Sequence, residues 1–187
     1  MQDADDAQLD ELIARHLPAL RAYVRLNIPP ALRAKESCSD LVQSTCREAL
    51  KARGEFEYRG PEAFRAWLFQ WALHKIKDRA KFFRAEKRSP DREFRGSDAS
   101  ELADLYSSIG SPSGAAIARE NAELLEQAFD RLDDDDRQVI ALCRIAGLPR
   151  EEVAHALGKS DGAVRTQLSR ALVRLAAELE RLGVHGD

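Results

Sequence analysis

The sequence predicts an all-α protein made of two small helical domains joined by a flexible linker, the C-terminal one with a helix-turn-helix. Its 187 residues include only 10 Gly and 7 Pro and are rich in Ala, Leu, Arg and Glu, which favour helices. Apolar residues recur at intervals of three and four along most of the chain. That period is lost between residues 89 and 112, where Pro, Gly, Ser and Asp are scattered. The predicted first domain therefore spans 1–88, the linker 89–112 and the second domain 113–187.

Two predicted helices open the first domain. The first, over residues 7–27, carries a continuous apolar stripe and ends before Pro29, since proline disfavours helical geometry in the residue that precedes it. Ser39 or Asp40 is expected to cap the second helix, over about 40–53. The inner face of this second helix is expected to contain Leu41, Val42, Cys46, Ala49 and Leu50.

A loop of sequence GEFEYRG at residues 54–60 mixes aromatic and charged side chains. Tyr58 and Arg59 allow two interpretations. They either pack beneath the domain, or they stack on single-stranded bases and contact their phosphates. The sequence of the loop alone favours simple packing.

A long predicted helix over residues 61–87 changes character along its length. Pro61 suits its first position, where the missing N–H is tolerated. Trp67 and Trp71 are either core residues or a stacking platform. Residues 74–88 contain seven basic side chains against two acidic ones, a net charge of +5. Such an excess suits contacts with nucleic-acid phosphates, and a solvated helix face is the alternative.

The second domain is predicted to begin with a helix capped by Ser113. The acidic run Asp133–Asp136 that follows this helix resembles a metal site at first sight. Carboxylates also stabilise a helix N-terminus, where N–H groups are exposed and the macrodipole is positive. We therefore expect a helix that starts at this run and continues to Ile145, before Gly147-Leu148-Pro149 ends it.

Residues 149–175 show the pattern of a helix-turn-helix. A short amphipathic helix over 150–157 is followed by Gly158, which suits a left-handed C-cap, and by Ser160, which suits an N-cap. A second helix then starts at Asp161 with Val164, Leu168, Leu172 and Leu175 on its apolar side. Its opposite side presents small, polar and basic residues that suit a helix in the DNA major groove: Gly162, Arg165, Thr166, Ser169 and Arg170. A helical hairpin with merely solvated arginines is the alternative.

The net charge of −3 conceals an asymmetry along the chain. Residues 89–136 carry 4 basic and 13 acidic side chains, a balance that DNA would repel, whereas residues 1–88 carry 17 basic and 13 acidic ones. No apolar run has the length of a membrane span, and the acidic N-terminus lacks a signal-peptide core. We therefore expect no membrane insertion and a cytoplasmic location.

Catalytic chemistry is not indicated by any motif. The sequence lacks a glycine-rich phosphate loop and the HExxH and GxSxG patterns, so no catalytic residue, cofactor or metal site is expected. Cys38, Cys46 and Cys143 are expected to be buried thiols in a reducing compartment. A redox or zinc role for Cys38 and Cys46 is the less favoured alternative.

Two separated stretches together resemble one family, the extracytoplasmic-function sigma factors of bacterial RNA polymerase. The first stretch, which resembles region 2 of that family, comprises Asp40-Leu41-Val42-Gln43, Phe64-Arg65-Ala66-Trp67-Leu68, Lys77-Asp78 and Arg84. The second, which resembles region 4, comprises Ser111-Pro112-Ser113, Leu132, the acidic run with Arg137, Gly147-Leu148, Glu152-Val153-Ala154, Leu157-Gly158-Lys159-Ser160, Gly162, Val164 and Arg170-Ala171-Leu172. Their order and separation make the resemblance specific.

The resemblance implies a role for each matching position. The partners it implies are core RNA polymerase, through its clamp helices and flap, promoter DNA, and an anti-sigma factor. Polymerase contacts would come from Asp40, Leu41 and Gln43. Contacts with the melted downstream promoter element would come from Tyr58, Arg59, Trp67, Lys75, Lys77, Arg79, Lys81 and Arg84. Contacts with the upstream element would come from Lys159, Ser160, Gly162, Arg165, Thr166, Ser169 and Arg170.

Three other functions remain open from the sequence. A helix-turn-helix regulator that binds duplex DNA without polymerase would explain only the C-terminal half. A helical adaptor that binds proteins would explain the leucine stripes but not the basic helix. A nuclease is least favoured, because no metal ligand set or nucleophile is evident.

Overall fold

The computed structural model describes residues 2–56, 60–86 and 115–183, and every regular element in these ranges is helical. The α-helices are α1 Gln2–Asn27, α2 Pro30–Arg33, α3 Cys38–Lys51, α4 Pro61–Glu86, α5 Ala115–Asp130, α6 Asp134–Ile140, α7 Arg150–Leu157 and α8 Asp161–Arg181. A 3-10 turn at Ala52–Glu55 follows α3, and a π-helical turn at Ala141–Ile145 continues α6. The predicted linker at 89–112, the cap at Ser113, and Tyr58 and Arg59 lie outside the described residues.

Helices α1 to α4 form the first domain. Leu20, Leu41 and Phe64 are fully buried in its core, and Tyr23 meets Phe69 edge-on with ring centroids 5.2 Å apart. Burial of each such side chain contributes about 1.5–3 kcal/mol. The core therefore fixes α3 and α4, the two helices that carry the predicted polymerase and downstream-element residues.

The start of α3 differs from the prediction. Ser37 is the N-cap residue, and its side chain accepts a hydrogen bond from the backbone N–H of Asp40 at 3.2 Å. The predicted caps, Ser39 and Asp40, are therefore wrong. A capping oxygen must reach an N–H two or three residues ahead, and Ser37 stands at that distance from Asp40.

Helix α1 is also longer than predicted and begins at Gln2 instead of residue 7. The sequence at its start, QDADDAQ, is rich in acidic residues, which favour a helix N-terminus. Pro18 lies within the helix at an exposed position.

Helices α5 to α8 form the second domain, in which the predicted starts of α6 and α8 are confirmed. Asp133 caps α6 by accepting a hydrogen bond from the Asp136 N–H at 2.8 Å. Gly158 ends α7 with a φ of 63°, the left-handed conformation expected of a C-cap. Ser160 then caps α8 by accepting from the Ala163 N–H at 3.2 Å. The predicted helix-turn-helix is therefore present.

The two domains pack against each other, which the sequence analysis did not predict. Helix α1 lies against α5, α6 and the π-helical turn as well as against α3 and α4. Its C-terminal end and the residue that follows it are buried without interruption from Ala22 to Ile28. A helix with neighbours on one side buries a single stripe. Seven consecutive buried residues mean that α1 is covered by the first domain on one side and by the second on the other.

Candidate nucleic-acid and polymerase interfaces

Helix α8 presents the predicted DNA-contacting residues together on one exposed surface, which we call the α8 reading face. It consists of Gly162, Arg165, Thr166, Ser169 and Arg170, all of them exposed. Val164 and Ala171, on the opposite side, are fully buried, and Leu175 is almost fully buried. The Thr166 hydroxyl donates to the Gly162 carbonyl at 3.0 Å, so it is partly satisfied within the helix. Arg165 and Arg170 are the two cations of this face.

The turn before α8 uses its polar side chains internally. Lys159 Nζ lies 2.8 Å from Asp135 Oδ2 and 2.7 Å from Gln167 Oε1, which ties the turn to both α6 and α8. The Ser160 hydroxyl oxygen is the helix cap. Both residues are therefore positioned beside the reading face and help to orient it.

An open groove of about 930 Å³ separates α8 from the start of α6. One wall contains the acidic run, and the other contains Gly162, Thr166 and Arg170 of the reading face together with Arg174. The Arg174 guanidinium donates to the Asp136 carboxylate, which is almost completely buried. The acidic run therefore lies beside the reading face, and its first residue, Asp133, also caps α6.

The five predicted DNA-contacting cations of α4 fall into two groups, one paired with carboxylates and one exposed. Lys75 forms an ion pair with Glu48, and Arg79 Nε lies 2.7 Å from Glu36 Oε2. Arg79 also stacks on the Phe82 and Phe83 rings, at 5.5 and 5.1 Å from their centroids. The remaining cations, Lys77, Lys81 and Arg84, are exposed and line one cleft. We call these three residues the α4 basic face.

The aromatic side chains of Phe56 and of the first turns of α4 form a cluster. The Trp67 ring lies 4.7 Å from Phe56, 5.8 Å from Phe64 and 6.3 Å from Trp71, measured between centroids. Trp67 and Trp71 are both half-buried. Both rings therefore pack within this cluster, and the stacking platform stays a prediction.

The predicted polymerase contacts on α3 do not all reach the surface. Asp40 and Gln43 are exposed, and they lie one turn apart. Leu41 is fully buried in the first domain. Its assignment as a polymerase contact is therefore corrected: its side chain faces inward, because it belongs to the apolar stripe that holds α3 against the domain.

An inter-domain ion cluster of four charged residues was missed by the sequence analysis. Arg25 donates through Nε and Nη2 to Glu126 Oε2, at 2.9 and 2.7 Å. Arg33 donates to the other oxygen of Glu126 and, through Nη2, to Asp130 Oδ1 at 2.8 Å. The arginines belong to the first domain and the carboxylates to α5.

A weak sequence signal for this cluster does exist. Arg25 stands between Val24 and Leu26, and Glu126 follows Leu125 on the apolar side of α5. Charged residues inside apolar stripes are buried only when they are paired. The sequence therefore hints at buried partners, although it does not say which arginine meets which carboxylate.

Cys38, Cys46 and Cys143 form no disulfide and are half-buried. Burial raises the pKa of the Cys46 and Cys143 thiols, which disfavours the reactive thiolate. Cys38 and Cys46 lie eight residues apart on α3, about 12 Å at the helical rise, beyond the ~7 Å limit for a disulfide.

No group of three or more potential metal ligands occurs among the described residues. Nor does any helix in the described ranges have the length and apolar character needed to cross a membrane.

Comparisons with known proteins match both domains. Residues 12–89 match the family Sigma-70 region 2, and residues 122–175 match Sigma-70, region 4. The chain is 30% identical to the RNA polymerase sigma factor NccH of Alcaligenes xylosoxydans, over 94% of this chain and 89% of the relative. It is also 30% identical to the ECF RNA polymerase sigma factor ShbA of Streptomyces griseus, over 96% of this chain and 91% of the relative.

A solved structure shares the fold over almost the whole chain. The structure of CnrH in complex with the cytosolic domain of CnrY superposes with a TM-score of 0.57 and 28% identity, covering 95% of this chain and 94% of CnrH. The matches include both Sigma-70 regions in their expected order and span the two helical domains. The chain therefore belongs to the extracytoplasmic-function sigma factors, the family that directs bacterial RNA polymerase to its promoters.

Proposed function

We propose that this alternative sigma factor reads the upstream promoter element with the α8 reading face and the melted downstream element with α4 and the adjoining loop. The observation that carries the proposal is the exposure of Arg165 and Arg170 on a capped helix-turn-helix, in a chain whose other domain has a second basic surface. The protein acts by binding and not by catalysis. It would work in the cytoplasm, where the polymerase is.

At the upstream element, Arg165 and Arg170 are the proposed base or phosphate contacts. An arginine can donate to guanine O6 and N7 together, which discriminates against other bases by about 1–3 kcal/mol. Gly162 and Ser169 would allow close approach of the helix, while Lys159, Ser160 and Thr166 would contact phosphates or hold the turn.

At the downstream element, the α4 basic face is proposed to contact phosphates. Lys75 and Arg79 are proposed as weaker contacts, since each is paired with a carboxylate in the free protein. Trp67, together with Tyr58 and Arg59, is proposed to receive unstacked bases. Stacking of a base on an aromatic ring contributes about 1–3 kcal/mol, which offsets the cost of melting.

Polymerase contacts are proposed at two places. Asp40 and Gln43 of α3 would bind the clamp helices, and the second domain would bind the flap. The proposed domain limits remain 1–88 and 113–187, with 89–112 as the connecting segment. An anti-sigma partner is proposed as well, supported by the complex in which CnrH was solved with the cytosolic domain of CnrY.

Run-off transcription with purified core polymerase tests this function. The template would be a promoter selected from randomised DNA by the complex of this protein with polymerase. We expect a transcript only when the protein is added, and a strong loss with Arg165→Ala. A gel shift of the same DNA without polymerase, together with no transcript, would instead support the simple helix-turn-helix regulator.

A further inference from the structure

The groove between α8 and the start of α6 is lined by three cations, Lys159, Arg170 and Arg174. Two of them are bonded to the acidic run: Lys159 Nζ lies 2.8 Å from Asp135 Oδ2, and Arg174 donates to Asp136. Arg170 is exposed and forms no ion pair with any residue that the structure describes. The acidic run thus neutralises two cations beside the α8 reading face and leaves the third available to DNA.

The two ion pairs of the groove have different surroundings. Asp136 is almost completely buried, so its pair with Arg174 holds α8 against α6. Asp135, by contrast, has 68% of its side chain exposed, and exposed ion pairs contribute little to stability. Because Val164 also anchors α8 in the core, the orientation of α8 does not depend on Asp135.

The pair with Asp135 limits what Lys159 can offer to DNA. Its ammonium group has three donors, and two of them are directed at Asp135 and at Gln167 Oε1, which lies 2.7 Å from Nζ. A lysine that neutralises a phosphate gains affinity because the DNA releases a counterion. Since Asp135 already neutralises Lys159, a contact between Lys159 and a phosphate must first break that ion pair.

We propose that Asp135 is a positioning residue that limits the sequence-independent affinity of the second domain for duplex DNA: it holds Lys159 against α6 and withholds its charge from the phosphates. This inference rests on the proposed function and deepens it, because it assigns Lys159 to the turn before α8 and leaves the DNA contacts to the α8 reading face. Phosphate contacts carry no sequence information. Asp135 therefore sets how tightly duplex DNA is bound, and not which sequence is preferred.

The test measures, by anisotropy, the binding of the full chain without polymerase to two fluorescent duplexes. One contains the upstream element of the selected promoter, and the other contains the same bases in scrambled order. Asp135→Asn should bind both duplexes several-fold more tightly with an unchanged ratio of the two affinities, because the freed Lys159 contacts a phosphate in any sequence. The gain should shrink by about 3.5-fold between about 50 and 200 mM salt, since one added phosphate contact steepens the salt dependence by a slope of about 0.9.

Three further variants assign the gain to Lys159. Lys159→Gln, added to Asp135→Asn, should abolish the gain, whereas alone it should flatten the salt dependence less than Arg170→Gln does. Asp135→Glu keeps the carboxylate and should bind as the wild type does. Glu11→Gln is the matched control, because Glu11 forms an exposed ion pair with Arg15 on α1. It changes the net charge equally and also frees an arginine, and it should leave both affinities unchanged.

The outcomes separate withheld charge from a structural role. A folded Asp135→Asn without a gain on either duplex would overturn the inference, and so would a gain that survives Lys159→Gln. A lower ratio of the two affinities would also overturn it, because Asp135 would then orient α8. Asp135→Ser provides a second neutral replacement should the amide disturb the start of α6. If the wild type fails in run-off transcription, the proposed function fails, whereas the gain of Asp135→Asn on both duplexes would remain.

Discussion

The α8 reading face and the predicted cations of α4 differ in how far their charged side chains are already paired with carboxylates of the protein. Arg165 and Arg170 are exposed, and the helix that carries them is fixed by local caps. On α4, two of the five predicted cations are paired within the first domain, and the other three are exposed beside a cleft that α6 also lines. The protein itself thus already engages part of the charge of α4, whereas both arginines of the α8 reading face are exposed.

The largest effect is expected from the α8 reading face. Arg165→Ala or Arg170→Ala should each weaken binding of the polymerase complex to the upstream element by about 1–3 kcal/mol, through loss of a base or phosphate contact. Competition binding on the selected promoter measures this. Arg144→Ala, an exposed arginine on the π-helical turn, is the control and should bind normally. Equal losses at all three positions would point to a nonspecific charge effect.

Next in size is the turn that sets the angle of α8. Gly158→Ala should destabilise the second domain by about 1–2 kcal/mol, because its φ of 63° is strained for any residue with a Cβ. Urea unfolding checks this. Gly54→Ala is a matched control. At both glycines an added Cβ would have no other atom within 4 Å, but Gly54 has no positive φ. The strain prediction is wrong if the two substitutions cost the same.

The two groups of cations on α4 provide a smaller and sharper contrast. Lys77→Gln should reduce the salt dependence of DNA binding by the polymerase complex, with a slope change of about 0.7 for one lost contact with a single-stranded phosphate. Lys75→Gln should reduce it less, because Glu48 already pairs with Lys75. Binding measured between low and physiological salt distinguishes them. Identical slopes for both variants would show that the internal pairs do not matter once DNA is bound.

The smallest expected effect concerns pH and the first domain. Burial, followed by the nearby Arg65 and Arg15, lowers the pKa of His16, so the folded state favours the neutral ring. The unfolded chain binds the extra proton near the ordinary pKa of about 6.5, so stability is lost as the pH falls below that value. The difference between the melting temperatures at neutral and at mildly acidic pH should be smaller in His16→Gln than in the wild type. An identical acid shift in this variant would exclude His16 as the cause.

Local signals allowed much of this structure to be predicted from the sequence. Gly158, Ser160 and the carboxylates of 133–136 define helix ends through interactions with residues only three or four positions away. Ser37 was not predicted as the cap, because Ser and Asp are both common N-cap residues and Ser39 and Asp40 are therefore equally good candidates. Only the register of the helix distinguishes them.

Contacts between distant parts of the chain were not predictable in the same way. Arg25 and Glu126 are separated by about a hundred positions, and no local period indicates which buried charge meets which. Leu41 shows the opposite case: the apolar period placed it on the inner face of α3, where it is buried, whereas the motif match assigned it to the polymerase. A motif names residues, whereas burial depends on what packs against them.

The most direct test of the central claim is transcription from promoters in which the spacing between the upstream and downstream elements is varied. If two faces of one sigma factor read both elements on the polymerase, insertion of about five base pairs, half a helical turn, should abolish the transcript. Insertion or deletion of one pair should leave part of it. A transcript that is unchanged by the half-turn insertion would contradict the claim that the α8 reading face and α4 act together on one promoter.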